Sequence, residues 1–410
     1  MKRYLTFFSL LLSTGLAVTA MANEVTIGAN GFLQKDGEPI FVLGAYHPPK
    51  GMGTKEVADL GFNLLRTSPT PEKIAECKDN DLWTWHSFNL DFSNNREKLE
   101  ESIRSSVEAV KDAENLLIWE SVDEPAWTDK EPAKPRNLPE PLTEGYQFLK
   151  SLDDHPVYLN HAPRNTVQTL RKYNSAADIL CVDIYPILPM NLGEMYAIIP
   201  PAQPGYPPRH GDMPDNSPAC VGDYVDKMRE VADPGQAVFV VLQGFAWEAL
   251  NPEEKRDPEK VLYPTYEQLR FMAWQAIVHG VNGLTFWGLS YNDNAEYYEG
   301  LSKVLHEIRD LTPAIVADPL DFRFEKDYAE RGSTISKGIE TRMVDTGDTI
   351  TLFAVNASVD PATIQFSALP IPQREKVEVL GEDRTINSLS GSFGDNFEGL
   401  GVHIYRWKSE

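Results

Sequence analysis

Cysteine is scarce in this chain, and the three that occur, Cys77, Cys181 and Cys220, are an odd number. Disulfide-stapled scaffolds carry many cysteines in even numbers, so this count excludes that class of protein. One bridge is compatible with an oxidising compartment, and at least one thiol then stays unpaired within the chain. Cys181 lies inside an apolar run, which favours a core position over the role of a nucleophile.

Long apolar runs are absent after the first 22 residues, which argues against a membrane-spanning helix in that part of the chain. The first 22 residues are typical of a secretory signal. They contain Lys2 and Arg3, an apolar core over 4–18, and the small-x-small site Ala20-Met21-Ala22. We expect cleavage after Ala22 and a soluble mature protein in the periplasm or the medium. No cysteine follows the signal to accept a lipid.

Positive charge is also in short supply, with 38 Lys and Arg against 61 Asp and Glu. Cleavage of the signal removes two positive charges and no negative ones, which leaves 36 basic residues and a formal net charge of −25. Nucleic-acid binding needs a basic surface that neutralises phosphates, so this composition argues against it. Such acidity favours solubility and says nothing about the fold.

Several motifs of known chemistry are missing. No Gly-rich phosphate loop follows the first predicted strand, so we expect no dinucleotide cofactor. No Gly-x-Ser-x-Gly elbow is present to activate a serine. His47, His86 and His161 each end a predicted strand, but no His-x-His or His-Glu-x-x-His pair accompanies them. A zinc-dependent hydrolase is therefore kept only as an alternative that ranks behind the two functions given below, and the expected site contains no metal.

What the chain does have is an alternation of apolar runs and amphipathic stretches, repeated eight times. This pattern is typical of parallel βα units. Helical periodicity is clearest at 96–111 and at 266–279, where Thr265 opens the second helix and Gly280 closes it. Eight units in roughly a quarter-thousand residues predict an α/β fold of the (β/α)8 TIM barrel class. The predicted strands are 41–46, 62–66, 82–86, 116–122, 157–160, 179–184, 237–242 and 283–287.

Short β-rich segments flank the eight units. A hairpin over 25–41, with its turn at Lys35-Asp36-Gly37, comes before the first unit. After a last helix near 297–316, short apolar runs alternate with turns and indicate a small C-terminal antiparallel β-sandwich. These runs are 341–344, 349–356, 363–366, 376–380 and 402–407. The predicted domains are a signal peptide over 1–22, a barrel over 23–317 and a β-sandwich domain over 318–410.

The most informative stretch is 116–127, where an apolar run ends in Asp123-Glu124-Pro125. In a parallel barrel the C-terminal ends of the strands carry the chemistry. A Glu at such a place is flanked by apolar residues and faces an open cleft. It can therefore have a raised pKa and donate a proton at neutral pH. The structural alternative is a carboxylate that caps the next helix or pairs with an arginine.

The other strand ends carry residues of matching chemistry. Carboxylates supply acid or base, amides and guanidinium groups hydrogen-bond hydroxyls or anions, and indoles pack on the C–H face of a sugar. In strand order the candidates are Tyr46 and His47, Arg66, Trp85 and His86, Asp123 and Glu124, Asn160 and His161, Asp183 and Tyr185, Gln243 and Trp247, and Trp287. Such a set predicts a carbohydrate site.

Some of these residues have a structural alternative. Glu120 lies on the inward face of its strand and is expected to pair with Arg66 inside the barrel. Trp85 and Trp287 suit core packing as well as a sugar platform. Asp183 interrupts an apolar run, so it needs a partner or a role in the site.

The segment 189–220, after the sixth strand, is long and rich in Pro, Gly and Tyr. Such loops on compact domains are commonly lids or binding loops. Tyr196, Tyr206, Arg209 and His210 are its candidates for substrate contact. A solvated excursion is the structural alternative.

The chain resembles the clan A glycoside hydrolases, the superfamily that includes families 2, 5 and 42, over the hairpin, the eight units and the C-terminal domain. The resemblance implies cleavage of O-glycosidic bonds in an oligo- or polysaccharide. It matches Arg66 to the strand-two arginine, Glu124 to the acid/base of an Asn-Glu-Pro-like motif and Trp287 to the strand-eight tryptophan. The pattern Pro264-Thr265-…-Arg270-x-Met272-…-His279-Gly280-…-Gly283-Leu284-x-Phe286-Trp287 is similar to a little-characterised branch of sugar-acting barrels.

Two departures from this resemblance bear on the mechanism. Asp123 stands where the clan usually has Asn, and Gln243 stands where its strand-seven nucleophile is expected. Glutamine is neutral and cannot form the glycosyl ester of a retaining mechanism.

Three interpretations of the departures remain open. In an inverting hydrolase, Glu124 is the acid and Asp183, or less favourably Glu248, activates water from a carboxyl separation of roughly 6.5–9.5 Å. In a substrate-assisted hydrolase, Asp123 orients a 2-acetamido group and Glu124 protonates the leaving oxygen. The third interpretation is a non-catalytic carbohydrate-binding protein.

Overall fold

A computed structural model of the chain describes residues 23–127, 134–189, 217–329 and 337–409. Within these ranges eight parallel strands close into a barrel, as predicted. Each observed strand differs from the predicted one by no more than two residues at either end. They are β4 (Val42–Ala45), β5 (Leu64–Arg66), β6 (Trp83–Ser87), β7 (Leu116–Glu120), β8 (Val157–His161), β9 (Ile179–Asp183), β10 (Ala237–Gln243) and β11 (Gly283–Trp287).

The barrel strands are buried on both faces, which explains their nearly continuous apolar sequences. Along β10, Phe239 and Val241 face the barrel interior, whereas Val238 and Val240 pack beneath the helices. The strands pair in chain order from β4 to β10, and β11 closes the ring by pairing with both β10 and β4. All eight C-terminal strand ends therefore meet at one mouth.

Helices surround the barrel. They are α1 (Thr54–Asp59), α2 (Pro71–Lys78), α3 (Arg96–Val110), α4 (Pro139–Lys150), α5 (Val167–Leu170), α6 (Cys220–Val231), α7 (Tyr266–Val278), α8 (Ala295–Asp310) and α9 (Thr312–Ile315), with 3-10 turns at Arg171–Ala176, Trp247–Leu250, Glu253–Lys255, Pro258–Lys260 and Leu289–Tyr291. Among the described residues, no helix has the length and apolar character needed to cross a membrane.

Helix α7 begins and ends as its sequence predicts. The Thr265 hydroxyl accepts a hydrogen bond from the Gln268 backbone, and the Gln268 side chain accepts one from the Thr265 backbone, which makes a capping box. Gly280 follows the helix with a φ of +83°, a conformation that glycine adopts without strain.

The predicted hairpin is a three-stranded antiparallel sheet of β1 (Val25–Ile27), β2 (Leu33–Lys35) and β3 (Glu38–Ile40). Asp36 and Gly37 join β2 to β3, and their φ angles of +54° and +87° are both positive. A two-residue turn of this kind requires positive φ at both positions. The turn predicted at Lys35-Asp36-Gly37 is confirmed.

The C-terminal region forms two antiparallel sheets, which confirms the predicted β-sandwich. One sheet has the order β12-β15-β18 and the other the order β13-β14-β19-β16-β17. The strands are β12 (Glu325–Tyr328), β13 (Ile339–Asp345), β14 (Thr349–Asn356), β15 (Ala362–Ser367), β16 (Lys376–Val379), β17 (Arg384–Asn387), β18 (Phe393–Phe397) and β19 (Val402–Lys408).

Three of these strands, β12, β17 and β18, escaped the sequence prediction. Strand β12 is largely exposed, so it lacks the apolar run used to find strands. Strand β18 has Gly394, Asp395 and Asn396 between its two phenylalanines, and these residue types are depleted in strands. Pairing with neighbours overrides that local preference.

Helix α7 joins the barrel to the C-terminal sheets. Trp274 stacks on Phe353 with ring centroids 5.3 Å apart. Arg270 forms a salt bridge with Glu307 and donates to the Val402 carbonyl oxygen at 2.8 Å. Arg270 of the Pro264–Trp287 pattern thus serves this joint rather than the barrel mouth.

All three cysteines are buried. Burial raises the pKa of the Cys77 thiol to about 11, and it raises the pKa of Cys181 as well. Neither thiol has the thiolate character of a nucleophile. The core position expected for Cys181 is confirmed.

The joint contains a pH-sensitive group, His279, which lies between Asp226 at 2.9 Å and Glu340 at 3.0 Å. Burial opposes its positive charge, but the hydrogen bonds and charges of Glu340 and Asp226 raise the pKa of His279 above 6.5. A pKa raised by folding contributes stability below 6.5, and this contribution disappears as the pH rises through the folded-state value.

We therefore expect His279→Gln to lower the melting temperature at pH 6 and to have a smaller effect at pH 9. Thermal unfolding of both proteins, followed by circular dichroism at the two pH values, measures this difference. An equal loss at both pH values would show that the charge of His279 does not stabilise the joint.

Candidate functional site

A cavity of about 360 Å³ opens at the C-terminal ends of the barrel strands. Nine of the fourteen residues predicted for the site line it. They are Tyr46, Arg66, Asp123, Glu124, Asn160, Asp183, Tyr185, Trp247 and Trp287. The structure brings these side chains together because each follows or ends a barrel strand at the same edge of the sheet.

The amide of Asn160 connects two carboxylates of the cavity. Its nitrogen donates to Asp123 at 3.0 Å and, more weakly, to Asp183 at 3.4 Å. These two carboxylate oxygens therefore lie within about two hydrogen-bond lengths of each other. The amide oxygen of Asn160 is buried and has no hydrogen-bond partner among the described residues.

Glu124 is held in an unusual backbone conformation. Its φ is +48°, a left-handed region that costs a non-glycine residue about 1–2 kcal/mol. The Glu124 backbone N–H donates to the Asn160 carbonyl oxygen at 3.0 Å, and Arg136 donates to one of the carboxylate oxygens at 2.6 Å. Strain of this kind persists only where surrounding contacts maintain it, and it is concentrated at functional sites.

Glu120 lies deeper in the same cavity and pairs with Arg66, as predicted. The Arg66 Nε lies 2.5 Å from a Glu120 oxygen, and the Trp85 indole N–H donates to that oxygen at 3.1 Å. Burial raises the pKa of Glu120, although Arg66 and Trp85 oppose the shift. Arg66 also donates to Ser87 at 2.7 Å, so its guanidinium is fixed on the cavity floor.

One wall of the cavity is aromatic. Tyr185 stacks on Trp287 with centroids 5.9 Å apart and planes 29° apart. Phe245 meets both rings edge-on, at 5.0 Å from each, and Trp247 lies 6.1 Å from Tyr185. Flat apolar faces of this kind accept the C–H side of a sugar ring.

A second wall contains Trp127, which the sequence prediction missed together with its partners. The guanidinium of Arg136 lies 4.2 Å from the Trp127 ring and that of Arg164 lies 4.9 Å from it. Trp127 is only three residues beyond Glu124, so the informative stretch already contained it. Arg136 reaches the site through the path of its loop, for which the sequence carries no signal.

The three predicted histidines do not line the cavity. Burial lowers the pKa of His86 to about 4 and that of His161 to about 3, so both are neutral core residues. Burial and the nearby Arg66 lower the pKa of His47, whose ring lies 6.3 Å from Trp287. Among the described residues, no group of three His, Cys, Asp or Glu is arranged to hold a metal ion.

Trp85 also lies outside the lining. Its side chain is 1% exposed and packs edge-on against Tyr46 in the barrel interior, with centroids 5.1 Å apart. It therefore packs in the core and positions Glu120 rather than offering a platform.

Gln243 lies outside the lining as well, because the backbone engages both ends of its amide. The nitrogen donates to the carbonyl oxygens of Ile187 at 3.0 Å and Phe245 at 2.9 Å, and the oxygen accepts from the Ile187 N–H at 2.9 Å. Gln243 thus ties the segment after β9 to the end of β10. Glu248 is likewise outside the lining and accepts from the Asp257 backbone N–H at 2.8 Å.

Much of the predicted lid, 189–220, falls outside the described residues. The contacts expected of Tyr196, Tyr206, Arg209 and His210 stay predictions for this reason.

The Gln243 contacts predict the effect of restoring a carboxylate at this position. In Gln243→Glu, one carboxylate oxygen would face two carbonyl oxygens without a proton between them. We expect a loss of about 2 kcal/mol or more in the free energy of unfolding and no gain in hydrolysis. Urea denaturation measures the first effect. A variant as stable as the parent would show that Gln243 does not hold the backbone as described.

Comparisons with known proteins agree with the fold. No family model matches the sequence, and no curated protein matches it. Among solved structures, an α-amylase from Geobacillus thermoleovorans, complexed with acarbose, covers 90% of this chain and 98% of its own, with a TM-score of 0.54 and 8% identity.

Two further structures show the same likeness. A β-L-arabinopyranosidase from Geobacillus stearothermophilus, in complex with arabinose, has a TM-score of 0.52 and 8% identity, and covers 91% of this chain and 97% of its own. Amy13B of Eubacterium rectale has a TM-score of 0.51 and 9% identity, and covers 95% and 97%. At such identities the likeness establishes the fold alone, a barrel followed by β-sheets.

Proposed function

We propose that the protein is a glycoside hydrolase that cleaves O-glycosidic bonds of an oligo- or polysaccharide, with Glu124 as the proton donor. The observation that carries this proposal is the strained Glu124, connected through the Asn160 backbone and side chain to Asp123 and Asp183 at the barrel mouth. The aromatic wall of Tyr185 and Trp287 faces the same cavity and supports a sugar as substrate.

The charges of the cavity favour a neutral sugar. Among the described residues, the four carboxylates that line the cavity outnumber the three guanidinium groups of Arg66, Arg164 and Arg136, the last of which pairs with Glu124. Arg66 is already matched by Glu120. An anionic ring in this cavity would therefore meet a net negative environment, which is unfavourable.

The distance between strands favours an inverting reaction with Asp183 as the base. Glu124 follows the fourth barrel strand and Asp183 ends the sixth. Adjacent strands lie about 4.8 Å apart, so these strand ends are separated by about 10 Å before the side chains turn inward. This spacing suits the roughly 6.5–9.5 Å that an inverting pair needs for its water.

Proton donation from Glu124 requires a change at Arg136. The ion pair between them stabilises the charged carboxylate, whereas a proton donor must be neutral. In the proposed reaction the substrate displaces Arg136 from this oxygen as the leaving group approaches Glu124. Arg136 can then remain over the Trp127 ring.

A second mechanism is supported by the position of Asp123, which is exposed at the cavity beside Glu124. Asn160 holds one oxygen of Asp123, and the carboxylate has capacity to accept an N–H from a 2-acetamido group. In this substrate-assisted reaction the acetamido oxygen attacks the anomeric carbon while the glycosidic C–O bond breaks and Glu124 protonates the leaving oxygen. Water then opens the cyclic intermediate, so no enzymic nucleophile is needed.

The alternative function is a carbohydrate-binding protein without catalysis. The structural role of Gln243, at the position where the nucleophile is expected, favours it. Binding of a glycan without release of product would decide for this alternative.

Residues 1–22 support action in the periplasm or the medium, where such glycans are met.

The role of Glu124 is tested by Glu124→Gln, which keeps the shape of the side chain. We expect turnover to fall by roughly 10² to 10⁴ while the fold is retained, because a general acid is lost. The measurement is release of reducing sugar from a panel of neutral and N-acetylated glycans. Glu248→Gln is the matched control, since Glu248 lies outside the cavity lining. The amide oxygen of the introduced glutamine can still accept a hydrogen bond from the Asp257 backbone N–H. Equal turnover in Glu124→Gln and the parent would rule out Glu124 as the acid.

The two mechanisms differ in the anomer first released, which proton NMR detects. Inversion at the anomeric carbon, with turnover abolished in Asp183→Asn and only reduced in Asp123→Asn, is the expected result. Retention, restricted to 2-acetamido sugars and abolished in Asp123→Asn, would replace the inverting mechanism by the substrate-assisted one.

A further inference from the structure

A larger cavity, of about 870 Å³, lies at the opposite end of the barrel from the proposed active site. Gln236 and Asn282 line it and come directly before β10 and β11, so it adjoins the N-terminal strand ends. The C-terminal region forms the facing wall through residues such as Arg342 on β13 and Phe322 in the segment before β12. We call this space the basal cleft.

Arg342 is an unusual member of the basal cleft, because it is a cation buried without an acidic hydrogen-bond partner. Its side chain belongs to a residue only 7% exposed. Its acceptors among the described residues are two backbone carbonyl oxygens, those of Ala317 at 2.9 Å and Ile277 at 3.5 Å, and its Nε has none. A buried cation in such surroundings is costly unless an anion compensates it.

Arg229, on helix α6, brings a second guanidinium to the cleft from the barrel side. Arg229 is exposed and donates to the Gly280 carbonyl oxygen at 2.9 Å. Burial, together with the charge of Arg229, lowers the pKa of Arg342 to about 10, and the charge of Asp318 offsets only part of this shift.

The acidic groups of the cleft are Asp233 and Asp318. Asp318 accepts a hydrogen bond from Asn30 at 3.1 Å, and no described hydrogen bond joins either carboxylate to Arg342. His279 also lines the cleft, but Asp226 and Glu340 already match its charge.

The cleft also presents an aromatic face. Phe322 is 40% exposed, which is high for a ring of this size, and it lines the same wall region as Arg342. A guanidinium and an exposed ring that line one cleft offer one group for an anion and another for the apolar face of a sugar. The cleft is also far larger than one inorganic ion requires.

We propose that the basal cleft is a second glycan-binding site, which takes a sugar ring bearing an oxyanion such as a sulfate or a carboxylate. The oxyanion binds the guanidinium groups of Arg342 and Arg229, and the ring packs on Phe322. This site does not depend on the hydrolase activity proposed above, and it recognises the opposite charge class from the neutral mouth cavity.

The test is isothermal titration of the mature chain, residues 23–410, with glucose 6-sulfate, glucuronic acid, inorganic sulfate and glucose. We expect one or both anionic sugars to bind and glucose not to bind. Arg342→Met should weaken that binding by about tenfold or more, because a charge-assisted hydrogen bond is lost. Phe322→Ala should weaken binding of the anionic sugar and leave that of inorganic sulfate unchanged.

Arg229→Gln replaces a surface residue and keeps the test valid if Arg342→Met fails to fold. Arg406→Gln is the matched control, because Arg406 is partly exposed and paired with Glu378 outside the cleft. Binding that is unchanged in Arg342→Met and Arg229→Gln, or no binding of either anionic sugar, would overturn the proposal. Binding of inorganic sulfate alone would overturn the sugar site in favour of a simple ion site.

Discussion

The hydrogen-bond register among β7, β8 and β9 is the constraint on which the site depends. It sets Glu120 beside Tyr158 and Asn160 beside Cys181, so that Asn160 lies between the carboxylates of the neighbouring strand ends. A shift of one residue would turn each of these side chains to the other face of the sheet. The apolar residues that alternate with them prevent such a shift, because they would then leave the core. The same strand register therefore satisfies both the packing of the barrel core and the geometry of the site.

The same alternation explains how much the sequence could predict. Strands buried on both faces are visible as apolar runs, and their ends identify the mouth, which is why Glu124, Asn160 and Asp183 were found. The sequence shows less clearly how deep in the barrel a side chain of a strand lies. Whether an inward side chain reaches the cavity or packs beneath it depends on its neighbours. Trp85 and His86 were predicted at a strand end, but β6 continues to Ser87 and both side chains pack in the core.

Loop conformation marks the other limit of prediction. Gln243 follows the inward register of β10, yet its amide is drawn to the backbone of the segment after β9. Arg136 lies twelve residues from Glu124 in sequence and still forms an ion pair with it. Contacts of this kind depend on how a loop returns to the barrel. No local pattern in the sequence specifies that path.

The burial of the three thiols matters for how the chain folds rather than for the folded protein. Once the barrel and its helices have closed, burial keeps oxidants away from Cys77, Cys181 and Cys220. Before closure the same thiols are accessible on an extended chain, and any disulfide between them would be non-native. Cys181 lies on a central strand, so trapping it would stop the ladder from forming. In an oxidising medium, the rate of folding relative to the rate of thiol oxidation therefore decides how much chain reaches the native fold.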